Sequence, residues 1–333
     1  MRVKPKTKAL FCLCTIFGWL AWVPAVTAAS AADTAAKAAE LSEGGLGGEI
    51  ILGGAVMGGR PGQLDVGEDN KTVSRLDADP ERESTASPFV SGELYYTLAS
   101  TGTTFFLSAE SEGTGLSAGV SQYLGNAGQI SVAGLFGEEE VWKDPYLTGV
   151  KRRTTKAMTY GVNLAYEEIF GTGAFVSVTN LLVDVDDDEI GDRIKRLRRD
   201  GVIHRFESGY RFALSDSLEL TPALRAESRD MRGEANSSDG GGGGLAVTWT
   251  RGPWSVETGI GVGYSEYRKE HPVFDKTRKA KRFDAAALIG YTLPLRASAV
   301  TLYAMGCYQR VDENISFFHK EGWVAGMGVG VEF

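Results

Sequence analysis

The alternation of residue character along the chain restricts its fold more than any other feature. Between Leu218 and Asp230 the even positions Leu218, Leu220, Pro222, Leu224 and Ala226 are apolar, while the odd positions include Glu219, Arg225, Glu227 and Arg229. Just upstream, His204, Phe206, Tyr210, Phe212 and Leu214 alternate with Arg205, Glu207, Gly209 and Arg211. A period of two puts each set on one face of a β-strand, and the polar turn Ser215-Asp216-Ser217 joins the pair into a hairpin. The same dyad recurs at 90–98, 103–110, 158–167, 254–267, 282–293 and 323–333.

A soluble sandwich would alternate too, and three further features point to lipid instead. Short turns at 100–102, 125–128, 171–173, 215–217 and 251–253 interleave with long polar segments at 59–87, 138–153, 186–202, 230–243 and 269–281, as tight turns on one rim and long loops on the other would require. Glu112-Gly113-Thr114 is short where a long connection is due. Tyr95, Tyr96, Trp249, Trp254, Tyr264, Tyr291 and Trp323 stand near strand ends, where amphipathic rings meet a membrane interface. The chain closes on an alternating strand with Trp323, Val329, Val331 and the terminal Phe333 on one face. That ending resembles the assembly signal which the barrel-insertion machinery reads in bacterial outer-membrane proteins.

A sheet in lipid must satisfy every backbone polar group and therefore must close. The segments 48–58, 88–99, 103–111, 115–124, 129–138, 155–167, 174–185, 203–214, 218–230, 244–250, 254–268, 282–293, 299–311 and 321–333 predict an all-β, transmembrane, antiparallel up-and-down barrel of fourteen strands. Twelve is the fallback if the short segments fail. Residues 1–31 read as a cleaved signal peptide: Arg2, Lys4, Lys6 and Lys8 precede an uncharged run from Ala9 to Val26, and small residues follow Pro24. Residues 32–46 read as a periplasmic lead-in and 47–333 as the barrel, in the outer membrane of a Gram-negative bacterium.

Composition removes other classes. A net charge of −8, deepened by loss of the basic leader, argues against a nucleic-acid partner. With Cys12 and Cys14 inside the leader and Cys307 alone elsewhere, neither a disulfide framework nor a thiolate metal site can form. No cofactor is implied.

Two loop segments carry a likeness. Trp142-Lys143-Asp144-Pro145-Tyr146-Leu147 and His271-Pro272-Val273-Phe274-Asp275-Lys276-Thr277-Arg278 resemble the W-x-D-P-Y-L and N-P-I-F-x-K-T-R segments of an uncharacterised family of proteobacterial outer-membrane β-barrel proteins, classified only as a domain of unknown function. His271 stands where that family usually has Asn, and the run Asp184 to Glu189 sits where it has a D-D-E stretch. The resemblance implies a fold and a location, and it carries over no functional residues.

Candidate chemistry is sparse. Outer-membrane hydrolases use a His as general base, and the chain has His204, His271 and His319. Parity puts His204 on the outward face, and the other two fall in loop territory without a nucleophile motif. The carboxylates from Asp184 to Asp192 lack the order of a calcium loop, and Arg193, Lys195, Arg196, Arg198 and Arg199 follow them directly, so a self-compensating solvated loop is expected. Contact of Arg193, Arg196 and Arg198 with lipopolysaccharide phosphate is the functional alternative. Gly240 to Gly244 reads as a mobile loop tip.

The inward face is more informative. Arg205, Glu207, Arg211, Glu219, Arg225, Glu227, Arg229, Glu257, Arg282 and Asp284 should project into the lumen, as either a field-bearing channel or a salt-bridged filler. Inward glycines at 259, 261, 263, 326, 328 and 330 tilt the expectation toward an open passage. The expected function is a passive porin-like channel for small hydrophilic solutes, with outer-membrane lipid and lipopolysaccharide around it and no catalytic residues or metal. A plugged interaction barrel and a lipid-modifying enzyme are the alternatives.

Overall fold

A computed structural model of the chain describes residues 44–333 apart from 61, 68, 78–82, 112–113 and 296–298. The expected signal peptide, most of the lead-in and the short Glu112-Gly113 connection lie outside the described residues. Fifteen strand segments form one antiparallel sheet: β1 (Gly45–Arg60), β2 (Glu83–Leu98), β3 (Thr103–Ser111), β4 (Thr114–Tyr123), β5 (Gln129–Trp142), β6 (Thr154–Glu167), β7 (Ala174–Val185), β8 (Gly201–Tyr210), β9 (Phe212–Ser215), β10 (Leu218–Met231), β11 (Ser238–Arg251), β12 (Trp254–His271), β13 (Lys276–Leu293), β14 (Ala299–Glu313) and β15 (Lys320–Glu332). β8 and β9 both pair with β10 and form one stave interrupted at Arg211, so the barrel has fourteen staves. Every other strand pairs with its sequence neighbours. β1 closes the circle against β15, from Glu49 opposite Glu332 to Arg60 opposite Glu321.

The alternation works as the pleat demands. Ile50, Leu52, Val90, Leu94, Val162, Leu164, Ile260, Val262, Met327, Val329 and Val331 all point outward and are exposed. An apolar exterior of this extent is what lipid, and not water, stabilises. Aromatic pairs edge the belt on both sides. Trp254 stacks on Tyr291 with centroids 4.6 Å apart and Tyr210 on Phe212 at 4.5 Å near the short turns, while Phe136 meets Tyr160 at 5.5 Å and Phe283 meets Tyr308 at 6.2 Å toward the long loops. In the two-residue turn after β11, Gly252 takes a φ of 59°, a left-handed conformation that strains a residue with a Cβ.

Two expectations are corrected. β1 begins at Gly45, inside the segment read as a lead-in. The five glycines Gly240 to Gly244 are the middle of β11, not a loop tip, because β10 and β12 hydrogen-bond them from both sides, with Gly242 opposite Arg225 and Gly263. The short segments at β3 and β4 do form strands, and β11 is far longer than the expected 244–250.

Leu224 lies outward in the middle of β10 with 68% of its surface exposed. Leu224→Arg is expected to cost about 2–4 kcal/mol, the penalty of a cation near the bilayer midplane. Urea titration of folding into lipid vesicles, read by heat-modifiable gel mobility, checks it, with Leu224→Ala as the milder control.

Candidate functional site

The inward parity of β8 to β13 brings the ten charged residues of the sequence reading onto the lumen wall, and most of them meet one another. Arg205 Nε donates to Glu227 Oε2 at 2.7 Å and Arg229 Nε to Glu227 Oε1 at 2.6 Å. Arg225 donates twice to Glu207 Oε2, at 3.0 and 2.5 Å. Arg282 Nε bonds both oxygens of Asp284, which also accepts from Gln309 Nε2 at 2.7 Å. Arg211 reaches Glu167 at 2.8 Å and lies over the Phe175 ring, while Glu219 accepts from Thr221 Oγ1 at 3.2 Å and Glu257 faces inward near the short-turn rim. Charges removed from bulk water are tolerable when paired and hydrogen-bonded in this way, and removing one partner leaves the other stranded.

The inward glycines do not act as expected throughout. On β15 a Cβ at Gly326 would meet Met305, one at Gly328 would meet Ile51, and one at Gly330 would meet Glu49 and Tyr303. The space they leave is taken by neighbouring side chains lying flat on the wall. Gly53 and Gly119 are overlaid in the same way by Phe89 and Phe106.

Sequence reasoning missed two residues, Glu139 and Lys320, that stand with the expected Arg229 at the level of the long loops. Glu139 on β5, Arg229 on β10 and Lys320 on β15 all face inward, and protein surrounds each of them. Yet Glu139 is exposed and the Arg229 side chain keeps 38% of its surface. At inward positions they therefore still meet solvent, at the level of the long loops. Parity could have found Glu139, two steps from Gly137 and four from Leu135 along one face, but the run Glu138-Glu139-Glu140 shows no alternation.

Above this level the long loops fold into a cap. Trp142, only 1% exposed, donates from Nε1 to the Asp65 carbonyl at 3.2 Å. Asp144 accepts from the Tyr146 backbone N–H at 2.9 Å and pairs with Arg193 at 2.5 Å. Asp188 caps the short helix α1 (Glu189–Arg193) and is gripped by Arg199, whose Nη1 also reaches the Trp142 carbonyl at 2.7 Å. Asp187 pairs with Lys143, Glu189 with Arg153, and Asp192 with Arg198 at 3.1 Å. The acidic run is therefore only partly compensated by the basic cluster that follows it, since Asp187 and Glu189 find their partners in the preceding long loop. Arg196 pairs with Glu234 at 3.4 Å. Burial lowers Arg152 to about 10 and raises Asp65, against the pull of Lys320 and the Gly62 N–H.

His271 is the centre of an aromatic cluster and is fully buried, well beyond Tyr264, where the apolar belt of β12 ends. Its Nδ1 accepts from the Val273 N–H at 3.3 Å, which leaves Nε2–H to donate to the Tyr146 hydroxyl at 2.9 Å. Phe274, Phe317 and Phe318 pack around the pair, and the Arg278 guanidinium lies 3.4 Å from the centre of the Phe318 ring while bonding Glu313 at 2.6 and 3.0 Å. His204 faces outward with Nδ1 2.6 Å from Asn180 Oδ1, and His319 lies 4.0 Å from Asp312.

Burial, with Arg278 and Arg196 nearby, pushes His271 down to about 3 from its ordinary 6.5. Between those values the unfolded loop binds a proton that the folded loop refuses, so cap stability falls as the pH drops. Hydrogen–deuterium exchange in 142–147 and 271–276, corrected for intrinsic rates, is expected to be faster at about pH 4.5 than at neutrality. His271→Phe should flatten that dependence.

A family model described as protein of unknown function (DUF2860) matches residues 45–332. No curated protein matches the sequence. Among solved structures, an outer-membrane channel of Pseudomonas putida F1 is similar at a TM-score of 0.45 and 10% identity, covering 87% of this chain and 96% of that one. The beta domain of the Bordetella autotransporter BrkA gives 0.42 at 14% identity over 86% and 98%, and a FadL homologue of Pseudomonas aeruginosa gives 0.39 at 10% over 87% and 90%.

Proposed function

Given that the chain belongs to the DUF2860 family of proteins of unknown function, we propose that it is a passive channel for small hydrophilic solutes in the outer membrane of a Gram-negative bacterium. The observation that carries this reading is the exposure of Glu139 and Arg229 at inward positions of a closed barrel. A lumen filled by its own side chains would bury them. Water-accessible charge inside an apolar-walled cylinder is what a solute path needs. The paired wall residues Arg205, Glu207, Arg211, Arg225, Glu227, Arg282 and Asp284 are themselves largely buried against the wall and nearly neutralise it, so the exposed charges above them carry the path. The cap narrows its outer mouth.

The cap also favours a second reading, a barrel closed for surface interaction, because its aromatic cluster is as well buried as a domain core. Single-channel recording in planar bilayers separates the two. Full-length protein purified from membranes is expected to give reproducible steps, and the cap-loosening Trp142→Ala larger ones. Silence from both, with heat-modifiable mobility showing folded barrels, would reject the channel and leave the closed scaffold or a lipid-modifying enzyme.

The outward row Trp323, Val329, Val331 and Phe333 is the segment we assign to the insertion machinery. Phe333 is exposed, and its backbone exchanges hydrogen bonds with Gly48 at 3.0 and 3.1 Å across the closing seam. Deleting Phe333 is expected to lower the folded yield in isolated outer membranes several-fold while leaving refolding in detergent intact.

A further inference from the structure

The first long loop does not lie over the rim but turns into the mouth of the barrel. Gln63 and Asn70 are buried, and Asn70 Nδ2 donates to the carbonyls of Gly62 and Asp65, both at 3.1 Å. The Gly62 N–H donates to Asp65 Oδ2 at 2.7 Å, so the carboxylate sits in a tight, preformed turn. The next long loop holds that turn from outside. Arg152 Nη1 donates to the Gln63 carbonyl at 2.9 Å, Trp142 Nε1 to the Asp65 carbonyl, and the backbone N–H groups of Arg152 and Gly149 to the carbonyls of Lys71 and Val73. Asp65 is thus fixed in position by bonds from its own loop and from the next one.

The wall it approaches is charged. A Cβ on Gly62 would lie 3.6 Å from Lys320 Cβ, so the turn rests against the start of β15. Lys320 shares its inward parity with Val324 and Gly326. Glu139 comes from β5 and Arg229 from β10, staves spaced around the barrel from β15. The Asp65 turn bridges two of them, bonded by Trp142 at the end of β5, three residues beyond Glu139, and resting on Lys320 at the start of β15. A loop that spans from β5 to β15 in this way crosses part of the mouth at the height where Glu139, Arg229 and Lys320 face inward.

We propose that Asp65, Glu139, Arg229 and Lys320 form the constriction of the channel and select small dipolar, amino-acid-like solutes. Two carboxylates and two cations set around one opening create a field across the path and little net charge along it. A zwitterion can align with such a field, whereas a neutral molecule of the same size gains nothing and a simple ion meets one repelling side. The inference rests on the channel reading.

Glycine and its neutral isomer glycolamide are the probes, in swelling assays of liposomes carrying the full-length protein. The wild type is expected to pass glycine about threefold faster than glycolamide, and Glu139→Gln and Lys320→Gln should each bring the ratio toward one. In a salt gradient, Glu139→Gln should shift the reversal potential toward chloride and Lys320→Gln toward potassium. Glu139 is exposed, so its amide variant will fold even if the Lys320 variant does not. Conducting variants with wild-type ratio and reversal potential would overturn the constriction, while a wild type that passes neither solute nor ions would overturn the channel itself.

Discussion

Everything in this molecule depends on the seam between β1 and β15. In hydrocarbon an unpaired backbone amide costs several kcal/mol, so an open sheet edge is not a viable structure. The seam pairs residues continuously from Glu49 to Arg60, and the terminal Phe333 extends the ladder through Gly48. Closure makes the last residues of the chain as structural as the first strand. It also divides space into an outside that must be apolar and an inside free to carry charge.

Because the inside is free, its side chains are arranged by local electrostatics. Long guanidinium groups find carboxylates on the same or an adjacent stave: Arg205 and Arg229 share Glu227, Arg225 takes Glu207, and Arg282 takes Asp284. Flat rings and aliphatic chains cover the glycines, as Phe89 does Gly53. Both habits keep side chains close to the wall. A wide barrel can then retain a passage along its axis even though its inner surface carries bulky residues.

Much of this was legible from the dyad alone, since parity decides which face a residue takes once the strand is known. Parity alone puts the ten charged residues on one face of their strands and the row Trp323, Val329, Val331 and Phe333 on one face of β15. It failed where residues carry no face information. Gly240 to Gly244 have no side chains to alternate, and their strand is dictated by β10 and β12 on either side. Glu139 was hidden in a uniformly acidic triplet that looked like a loop. The cap was not legible at all, because its bonds join Asp65 to Trp142, Tyr146 to His271 and Asp144 to Arg193 across long stretches of chain. Nothing in a local window signals such pairs.

The cap's construction bears on how a channel of this kind can work. Loops that merely cover a pore need few buried polar groups, and they open by thermal motion. Here the buried polar groups are met by specific partners: His271 by Tyr146 and Val273, Asp188 by Arg199, and the Asp65 turn by Asn70 and Trp142. Each such bond is modest alone, but breaking one strands a buried group, so the network resists piecemeal opening. A cap held in this way fixes the aperture instead of flickering over it. In the proposed channel, selection would then fall to the groups that the cap holds at the mouth, Asp65 among them.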